Sequence, residues 1–404
     1  MNYNELKTCL CCGSDDIETI LDLTEQPLAN SYKINSDDDE DRYPLQLNLC
    51  KKCYHTQLSV AVNPDLLFKH YLYVSGTSST LNEYSKDFSL VVKEYFEKTN
   101  NKSPKNILDI ACNDGTQLNH FKNIGLETYG IDPAENLHEL SSVNHNVICD
   151  YYDSHNKFGH KFDLILAQNV FAHNSNPLQF LSDCKEDLSD DGLLFIQTSQ
   201  ANMIVNNEFD TIYHEHISFF NSNSMNELSK RAGIYLIDVM KTDIHGTSYV
   251  FVFSKNNIVT DNVSNSLEKE RQNGLYDLET YKKYSTNAHN IVNTLKNTIE
   301  EYKVNNFRVV GYGAAAKGNT LLNFGNIQLD YIIDDNPLKQ GLYTPGTGIL
   351  IGDVSYLDNI TPEEKVLFVP LAWNFFKEIR SKILKRRDNG GDSFVKYFPE
   401  VKVD

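Results

Sequence analysis

A short string near the middle of the chain, DTIYHEHISFF from Asp210 to Phe220, carries the side chains best suited to acid–base chemistry. It places His214, Glu215 and His216 in direct succession. Imidazole titrates near neutral pH and can take a proton under physiological conditions, while an adjacent carboxylate can orient the ring. The string therefore favours a general base with an orienting carboxylate.

Two other interpretations of this string stay open. In an extended segment His214 and His216 would lie on one side, with Tyr213 and Glu215 on the other, so the two histidines could hold a metal ion. The spacing differs from HExxH, whose histidines share one helix face, and the sequence offers no evident third ligand. Hydrogen-bonded polar residues at a strand edge are the remaining interpretation.

The stretch from Asn106 to Pro133 predicts a βαβ unit that would position a nucleotide-like ligand. It reads as an apolar strand, an Asn-Asp-Gly turn, an amphipathic helix and a second strand that ends in Asp132. A carboxylate at the end of that strand is suited to accept hydrogen bonds from two ribose hydroxyls. Both NAD and S-adenosylmethionine present such a ribose.

The residues of the turn separate these two cofactors. GxGxxG, the fingerprint of dinucleotide binding, is absent from the turn. A carboxylate at Asp114 would repel a pyrophosphate but attract the cationic methionyl end of S-adenosylmethionine, so we favour the methyl donor over NAD. A βαβ unit without any ligand is the third interpretation. The predicted cofactor-binding residues are Asp109, Asn113, Asp114, Gly115, Asp132, Pro133, Asp150 and Asn169.

Two CxxC pairs near the start of the chain predict a structural zinc site. The four predicted ligands are Cys9, Cys12, Cys50 and Cys53. Four paired thiolates can close a tetrahedral Zn²⁺ site, and the long loop between the pairs tolerates insertion. Cys11 is then a spare thiol, and His55 is expected to be a neighbour of the site rather than a ligand.

Composition and charge exclude several classes of protein. The 404 residues suffice for two or three domains, and the net charge of −18 argues against a nucleic-acid surface. An anionic substrate would need a local basic lining. No apolar run approaches the roughly 18 residues of a membrane helix, and no secretory signal is visible. Five of the eight cysteines lie within the first 53 residues, whereas a secreted disulfide scaffold would spread them and be much shorter, so we expect the protein in a reducing cytosol. Cys112, Cys149 and Cys184 are expected to be small core residues.

Strands alternate with helices along most of the chain and predict an α/β fold with an open, doubly wound sheet. A second Rossmann-like unit is expected from about residue 306, where the segment from Phe307 to Thr320 reads as a strand, a glycine turn and a helix that starts near Lys317. Such a helix N-terminus with a lysine is suited to a diphosphate, although the same glycines would also serve helix packing alone. One long helix between Tyr276 and Lys303 would precede it.

The order of these motifs resembles the nucleotide-sugar C-methyltransferases of branched deoxysugar biosynthesis, essentially end to end. The resemblance rests on the two CxxC pairs with QPLANSY, and on YLYVSG, NVFAH, YHEHISFF, HGTS, GYGAAAKGNTLLNFG, DDNPLKQGLYTPGTGI and LAWNF. It implies a zinc-binding domain (1–75), a class I methyltransferase domain (76–255), a helical connector (256–305) and a C-terminal Rossmann-like domain (306–404) that binds a sugar nucleotide.

The resemblance also implies roles for individual residues. His216 would be the base, with Tyr213, Glu215, His173 and Tyr73 around the sugar. The candidate substrate-binding residues are His245, Ser248, Lys317 and Asn319. Ala111 departs from the family pattern, which usually has glycine there, and Gln197-Thr198-Ser199-Gln200 replaces an acidic-apolar-Pro segment on the acceptor side.

The implied reaction is S-adenosylmethionine-dependent methylation of carbon 3 of a nucleotide-linked 4-keto-6-deoxyhexose, with zinc remote from the chemistry. O- or N-methylation of a sugar nucleotide is the alternative within enzymes. A non-catalytic zinc-domain binding protein is the alternative from another class. Neither a nucleic acid nor a membrane is expected as a partner.

Overall fold

The computed structural model describes residues 2–69, 74–77, 79–153, 158–199, 202–387 and 390–404, apart from the side chains of Thr77 and His245. Tyr73 and the side chain of His245, both predicted site residues, lie outside the described part. Contacts divide the chain into two compact units. The first comprises Met1–Glu18, Asn48–Ala201 and Glu215–Tyr276, and the second comprises Thr19–Leu47, Asn202–His214 and Asp277–Asp404.

Short strands and one helical turn occupy the N-terminal region. They are β1 (Tyr3–Glu5), β2 (Ile17–Pro27), β3 (Arg42–Cys50), β4 (Thr56–Leu58), β5 (Val60–Val62) and α1 (Asp65–Phe68). In the first unit β1 pairs antiparallel with β5. Most of β2 and β3, which are neighbours in a sheet, belongs to the second unit.

Alternating strands and helices form the centre of the first unit. They are α2 (Ser79–Asn100), β6 (Asn106–Ile110), α3 (Thr116–Asn123), β7 (Glu127–Ile131), α4 (Glu135–Ser141), β8 (Asn146–Ile148), β9 (Phe162–Gln168), α5 (Pro177–Asp187) and β10 (Leu188–Thr198). After α6 (Met203–Asn206) in the second unit, the following elements return to the first. They are β11 (Ser218–Phe219), α7 (Ser222–Ala232), β12 (Tyr235–Thr242), β13 (Ser248–Ser254) and α8 (Asp261–Gln272).

Within the described ranges, seven strands of the first unit form one mixed sheet in the order β12-β13-β10-β9-β6-β7-β8. Strands β8, β7, β6, β9 and β10 run parallel, while β13 is antiparallel to both of its neighbours. The parallel strands are apolar on both sides, as expected where helices cover both faces. Leu164 and Phe195 pack into the core beneath α2, and Ile165 and Ile196 pack into the core of the opposite face.

The second unit is built around the long helix α9 (Leu278–Val304) and a second sheet. Its other elements are β14 (Phe307–Tyr312), α10 (Ala316–Gly325), β15 (Tyr331–Ile333), β16 (Ile351–Gly352), β17 (Lys365–Pro370), α11 (Phe376–Arg386), β18 (Ser393–Lys396) and β19 (Lys402–Val403). The described strands of this sheet follow the order β16-β15-β14-β17-β18-β19 and are parallel up to β18.

These two sheets confirm the predicted α/β class with doubly wound sheets. The predicted long helix and the strand–glycine turn–helix segment after it are confirmed as α9, β14 and α10. Cys112 and Cys184 are buried as expected, but the expectation for Cys149 was wrong because this thiol is exposed beyond the edge strand β8. No helix in the described part of the chain is long and apolar enough to cross a membrane.

Candidate active site

The carboxylate of Asp132 follows β7 and organises the turn after the neighbouring strand β6. Its Oδ2 accepts from the backbone N–H of Asn113 and its Oδ1 from that of Ala134, each at 2.8 Å. A carboxylate oxygen has two acceptor positions, so each oxygen can still accept a hydroxyl of a ribose. Burial raises the pKa of Asp132, and the two N–H donors oppose this effect. Pro133 lies between the carboxylate and Ala134 and fixes this short turn.

A loop of the first unit closes over the turn at Asn113 and Asp114. The side-chain oxygen of Asn113 accepts from the N–H of Ser75 at 2.9 Å, and Asp114 Oδ2 accepts from the N–H of Gly76 at 2.8 Å. Gly115 has a φ of 81° and directly precedes α3, so a side chain there would be strained. The carboxylate of Asp114 therefore accepts a backbone hydrogen bond, and its negative charge can also attract a cationic ligand.

The other predicted cofactor-binding residues lie at the same edge of the sheet, where the parallel strands end. Asp109 is buried within β6, and this burial raises its pKa to about 8, so the carboxyl is protonated at neutral pH. Asp150 is exposed after β8. Asn169 follows β9 with a φ of 55°, and its buried Oδ1 has no hydrogen-bond partner among the described residues. An unpartnered acceptor at the same edge of the sheet as Asp132 and the turn fits a bound nucleoside donor such as S-adenosylmethionine.

The predicted base string is a turn rather than an extended segment. His214 and Glu215 lie in the turn, and the chain becomes a strand only at Ser218–Phe219. Tyr213 and His214 belong to the second unit, whereas Glu215 and His216 belong to the first. The extended geometry on which the two-histidine metal interpretation depended is therefore not present, because β-pairing begins only after the histidines.

The ring of His216 belongs to a stack of three rings in the first unit. His173 and His216 lie 5.3 Å apart between ring centroids, at 21° to each other, and Phe68 lies 5.3 Å from His173 on a nearly parallel plane. His216 is 7% exposed and Glu215 is 4% exposed. His173 is less covered, yet burial lowers its pKa to about 4, so its imidazole is neutral at pH 7. Two imidazoles, one of them held neutral, can share proton removal and hydrogen-bond donation.

His214 has a different environment from His216. Its Nε2 lies 3.3 Å from the backbone oxygen of Tyr43 and its ring meets the Tyr43 ring edge-on. Burial lowers the pKa of His214 to about 4. These contacts lie within the second unit, so the rings of the two histidines in the string have different surroundings.

In the second unit, Lys317 lies in the first turn of α10, next to the only tryptophan of the sequence. Its Nζ is 5.2 Å from the Trp373 ring centroid, and Trp373 Nε1 donates to Asp210 Oδ2 at 2.8 Å. Burial raises the pKa of Asp210 to about 7, and the positive charge of Lys317 opposes the rise. Lys317 is partly exposed.

Two further predicted substrate-binding residues lie in the interior. Asn319 is 1% exposed and donates from Nδ2 to the backbone oxygen of Ala29 at 2.7 Å. Ser248 is fully buried and donates to the backbone oxygen of Ile244 at 3.0 Å. These contacts anchor both side chains, and their part in substrate binding stays a prediction. Ser248 and Lys317 belong to different units.

The cysteine pairs meet in the first unit. The Sγ atoms of Cys9, Cys12, Cys50 and Cys53 all lie within 4.8 Å of one another, with Cys9–Cys53 and Cys12–Cys50 separations of 3.5 Å. Four thiolates about 2.3 Å from one tetrahedral ion would be roughly 3.8 Å apart, so the donor set fits a structural Zn²⁺. Cys11 lies outside this set, as predicted.

Sequence reasoning missed Phe68 and the Trp373–Asp210 bond. Phe68 is an ordinary apolar residue at the end of α1, and no local pattern links it to His173. Asp210 opens the conspicuous string and Trp373 is the single tryptophan of the sequence, so each position offered a signal of its own. Their separation of 163 residues in the chain nevertheless hid the contact.

Comparison with known proteins places three family models in sequence along the chain. They are the “Putative zinc binding domain” at residues 9–68, the “Methyltransferase domain” at residues 82–239 and the “C-methyltransferase C-terminal domain” at residues 243–399. The C-methyltransferase NovU of Streptomyces niveus is 27% identical over 411 residues, which cover 98% of this chain and 96% of NovU.

Other similarities are confined to part of the chain. A ubiquinone biosynthesis O-methyltransferase of Glaesserella parasuis is 33% identical over 114 residues, covering 25% of this chain and 48% of the relative. Among solved structures, the plantazolicin methyltransferase BpumL in complex with SAH matches with a TM-score of 0.36 and 16% identity, covering 43% of this chain and 87% of that one.

Proposed function

We propose that this chain, an S-adenosylmethionine-dependent C-methyltransferase with an N-terminal zinc-binding domain, methylates carbon 3 of a nucleotide-linked 4-keto-6-deoxy sugar. The observation that carries the proposal is the pairing of His216 with a second, neutral imidazole at His173. Similarity to NovU along nearly the whole chain supports C-methylation of a sugar-type substrate.

The need for a base follows from the chemistry of carbon. A carbon-bound hydrogen is too weak an acid for a side chain unless an adjacent carbonyl can take the negative charge as an enolate. In a 4-keto sugar, carbon 3 lies next to that carbonyl. His216 takes the proton from carbon 3, the electron pair moves into the carbon 3–carbon 4 bond, and the carbonyl oxygen becomes the enolate oxygen.

The developing enolate oxygen needs a hydrogen-bond donor. His173 is neutral at pH 7 and therefore carries one ring N–H, which can donate to that oxygen without bringing a net charge. Tyr213 is the alternative donor. Glu215, buried beside His216 in the chain, is assigned to the orientation of the base and to the stabilisation of its protonated form.

The donor is held at the carboxyl edge of the first sheet. When bound, S-adenosylmethionine supplies an electrophilic methyl group on a sulfonium sulfur. Asp132 accepts the ribose hydroxyls, the backbone around Asn113 and Gly115 gives the ligand close access, and the unpartnered Oδ1 of Asn169 accepts a donor of the ligand. Asp109 stays protonated and buried, so we assign it to the support of the turn.

The nucleotide of the acceptor is assigned to Lys317. A protein of net charge −18 needs a local positive group to bind a diphosphate, and Lys317 lies at the N-terminal turn of α10, where backbone N–H groups favour anions. Lys339, a second lysine of the same unit, donates to the backbone oxygen of Ala314 at 2.7 Å and is 3.9 Å from Asp334. Lys317 is therefore the more available charge.

The experiment combines the protein, methyl-labelled S-adenosylmethionine and a panel of nucleotide-linked sugars with and without a 4-keto group. Methyl transfer only to the 4-keto members, with a carbon–carbon bond at carbon 3 in the product NMR spectrum, is expected. A methyl group on oxygen or nitrogen would replace this proposal with the O- or N-methylation alternative. Methyl transfer to sugars without the keto group would refute the enolate mechanism.

A further inference from the structure

The second CxxC pair continues directly into groups that hold the chain around His216. The turn that contains Cys50 and Cys53 is closed by two backbone hydrogen bonds, from Tyr54 N to Cys50 O at 2.9 Å and from Cys50 N to His55 O at 2.8 Å. We call residues 50–55 the second knuckle. Tyr54 takes a left-handed conformation with a φ of 56°. The two hydrogen bonds fix the backbone of the second knuckle from Cys50 to His55.

Backbone oxygens of the second knuckle accept from the start of α7. Asn223 Nδ2 donates to Cys53 O at 3.0 Å, and Asn221 Nδ2 donates to Tyr54 O at 2.6 Å. Asn221 also caps α7, because its side-chain oxygen accepts from the N–H of Ser224 at 2.8 Å. The start of α7 is thereby fastened to the metal-binding turn.

The side chain of His55 reaches the strand that follows the base. Its Nε2 lies 3.2 Å from Ser218 Oγ, and its ring lies 5.0 Å from that of Phe220. Both His55 and Ser218 are fully buried. Ser218 pairs with β4, and Ile217 O accepts from the N–H of Leu58 at 2.8 Å. Ser218 is only two residues from His216, so this bond fixes the backbone that carries the base.

We propose that the second knuckle, acting through the buried His55–Ser218 hydrogen bond, is a positioning element for His216. The zinc site then sets the geometry of the base besides stabilising its own domain. This inference rests on the proposed role of His216. His55 and Ser218 are both fully buried, and we assign them an action through the chain. A displacement of the base by about 1 Å can cost up to roughly 100-fold in rate.

The test compares variants of this bond with a matched control on the same strand pair. Ser218→Ala removes the hydroxyl, Ser218→Thr retains one, and His55→Phe replaces the ring by an apolar one of similar size. Thr56→Val is the control, because Thr56 Oγ1 donates to Phe219 O at 3.3 Å and loses a comparable bond one position along the same pairing.

For each variant we would measure bound zinc, the thermal midpoint, the donor Kd, the acceptor KM and kcat. The position of the base is read independently from the imidazole NMR signals of His216 in histidine-labelled protein, assigned by their loss in His216→Asn. Ser218→Ala and His55→Phe should keep zinc and donor affinity, shift the His216 signals and lower kcat about 10-fold with little change in KM. Ser218→Thr should restore much of kcat.

Unchanged His216 signals and kcat in both Ser218→Ala and His55→Phe would overturn the positioning role. An equal loss in Thr56→Val would also overturn it, because the strand pair would then matter only for general stability. If the wild-type protein fails to methylate any 4-keto sugar while the His216 signals still move in Ser218→Ala, the proposed function fails and the positioning role stands.

Discussion

The imidazole rings of His173 and His216 stack at a centroid distance of 5.3 Å, although the two residues come from different segments of the first unit. His173 follows β9 in a short 3-10 turn, and His216 precedes β11. Two stacked imidazoles are costly to protonate together, because the two positive charges would repel each other. The pair therefore favours one neutral ring whenever the other carries the proton taken from the substrate.

The free energy of unfolding at acidic pH should depend on the neutral state of His173. Its folded pKa of about 4 lies below the ordinary value of 6.5, so the unfolded chain binds the proton more readily. The free energy of unfolding should therefore fall as the pH drops from 6.5 toward 4. His173→Asn should reduce this fall by about 1–3 kcal/mol, measured by urea unfolding at several pH values. An identical fall in the variant would contradict the assignment.

Donor binding should depend on Asp132. Asp132→Ala should weaken S-adenosylmethionine by about 1.5–3 kcal/mol, as expected for a lost charge-assisted hydrogen bond, and Asp132→Asn should have a smaller effect because an acceptor oxygen remains. Calorimetric titration gives both values. Glu139→Ala, at an exposed position of α4, is the control and should leave the affinity unchanged. Unchanged donor affinity in Asp132→Ala, or tighter binding of NAD by the wild type, would refute this site.

The acceptor affinity should depend on Lys317. Lys317→Ala should raise the acceptor KM about 10-fold or more while the donor Kd stays the same, because the proposal assigns this charge to the diphosphate of the acceptor and not to the donor. Lys377→Ala, an exposed lysine of α11, is the matched control. Initial-rate kinetics measure the acceptor KM of both variants. A normal acceptor KM in Lys317→Ala would assign the diphosphate to other residues.

Bound zinc should depend on the four cysteines of the cluster and not on the spare thiol. Cys12→Ser should lose zinc and lower the thermal midpoint, because binding of the ion contributes to folding of this region. Cys11→Ser should keep about one zinc per chain, since Cys11 lies outside the cluster. Elemental analysis of purified protein checks both. If Cys11→Ser lost zinc and Cys12→Ser kept it, Cys11 would be the ligand and Cys12 the spare thiol.

Features that follow from residue type and characteristic spacing could be predicted from the sequence. The turn at Asn113–Gly115, the carboxylate of Asp132 and the cysteine cluster each follow from residue type and spacing, and the alternation of strands and helices indicated both sheets. The stack of Phe68, His173 and His216 could not be predicted, because it depends on packing between segments far apart in the chain. The same reason hid the bond between His55 and Ser218.

The proposed function depends most on His216 as the base that removes the carbon-3 proton. His216→Asn should bind both ligands yet lose about 10² to 10⁴ in kcat, because it removes general-base catalysis and leaves the site otherwise intact. His214→Asn should lose less, since His214 contacts Tyr43 and holds the loop. Circular dichroism and donor titration would check that both variants fold.

Isotope exchange separates proton removal from methyl transfer. With the donor replaced by its demethylated product, wild-type protein in deuterated water should exchange the hydrogen at carbon 3 of a 4-keto sugar nucleotide, because enolate formation is reversible without a methyl group. His216→Asn should not exchange it, while His214→Asn should. Normal exchange in His216→Asn would remove His216 as the base and make His173 the next candidate, since its ring lies beside that of His216.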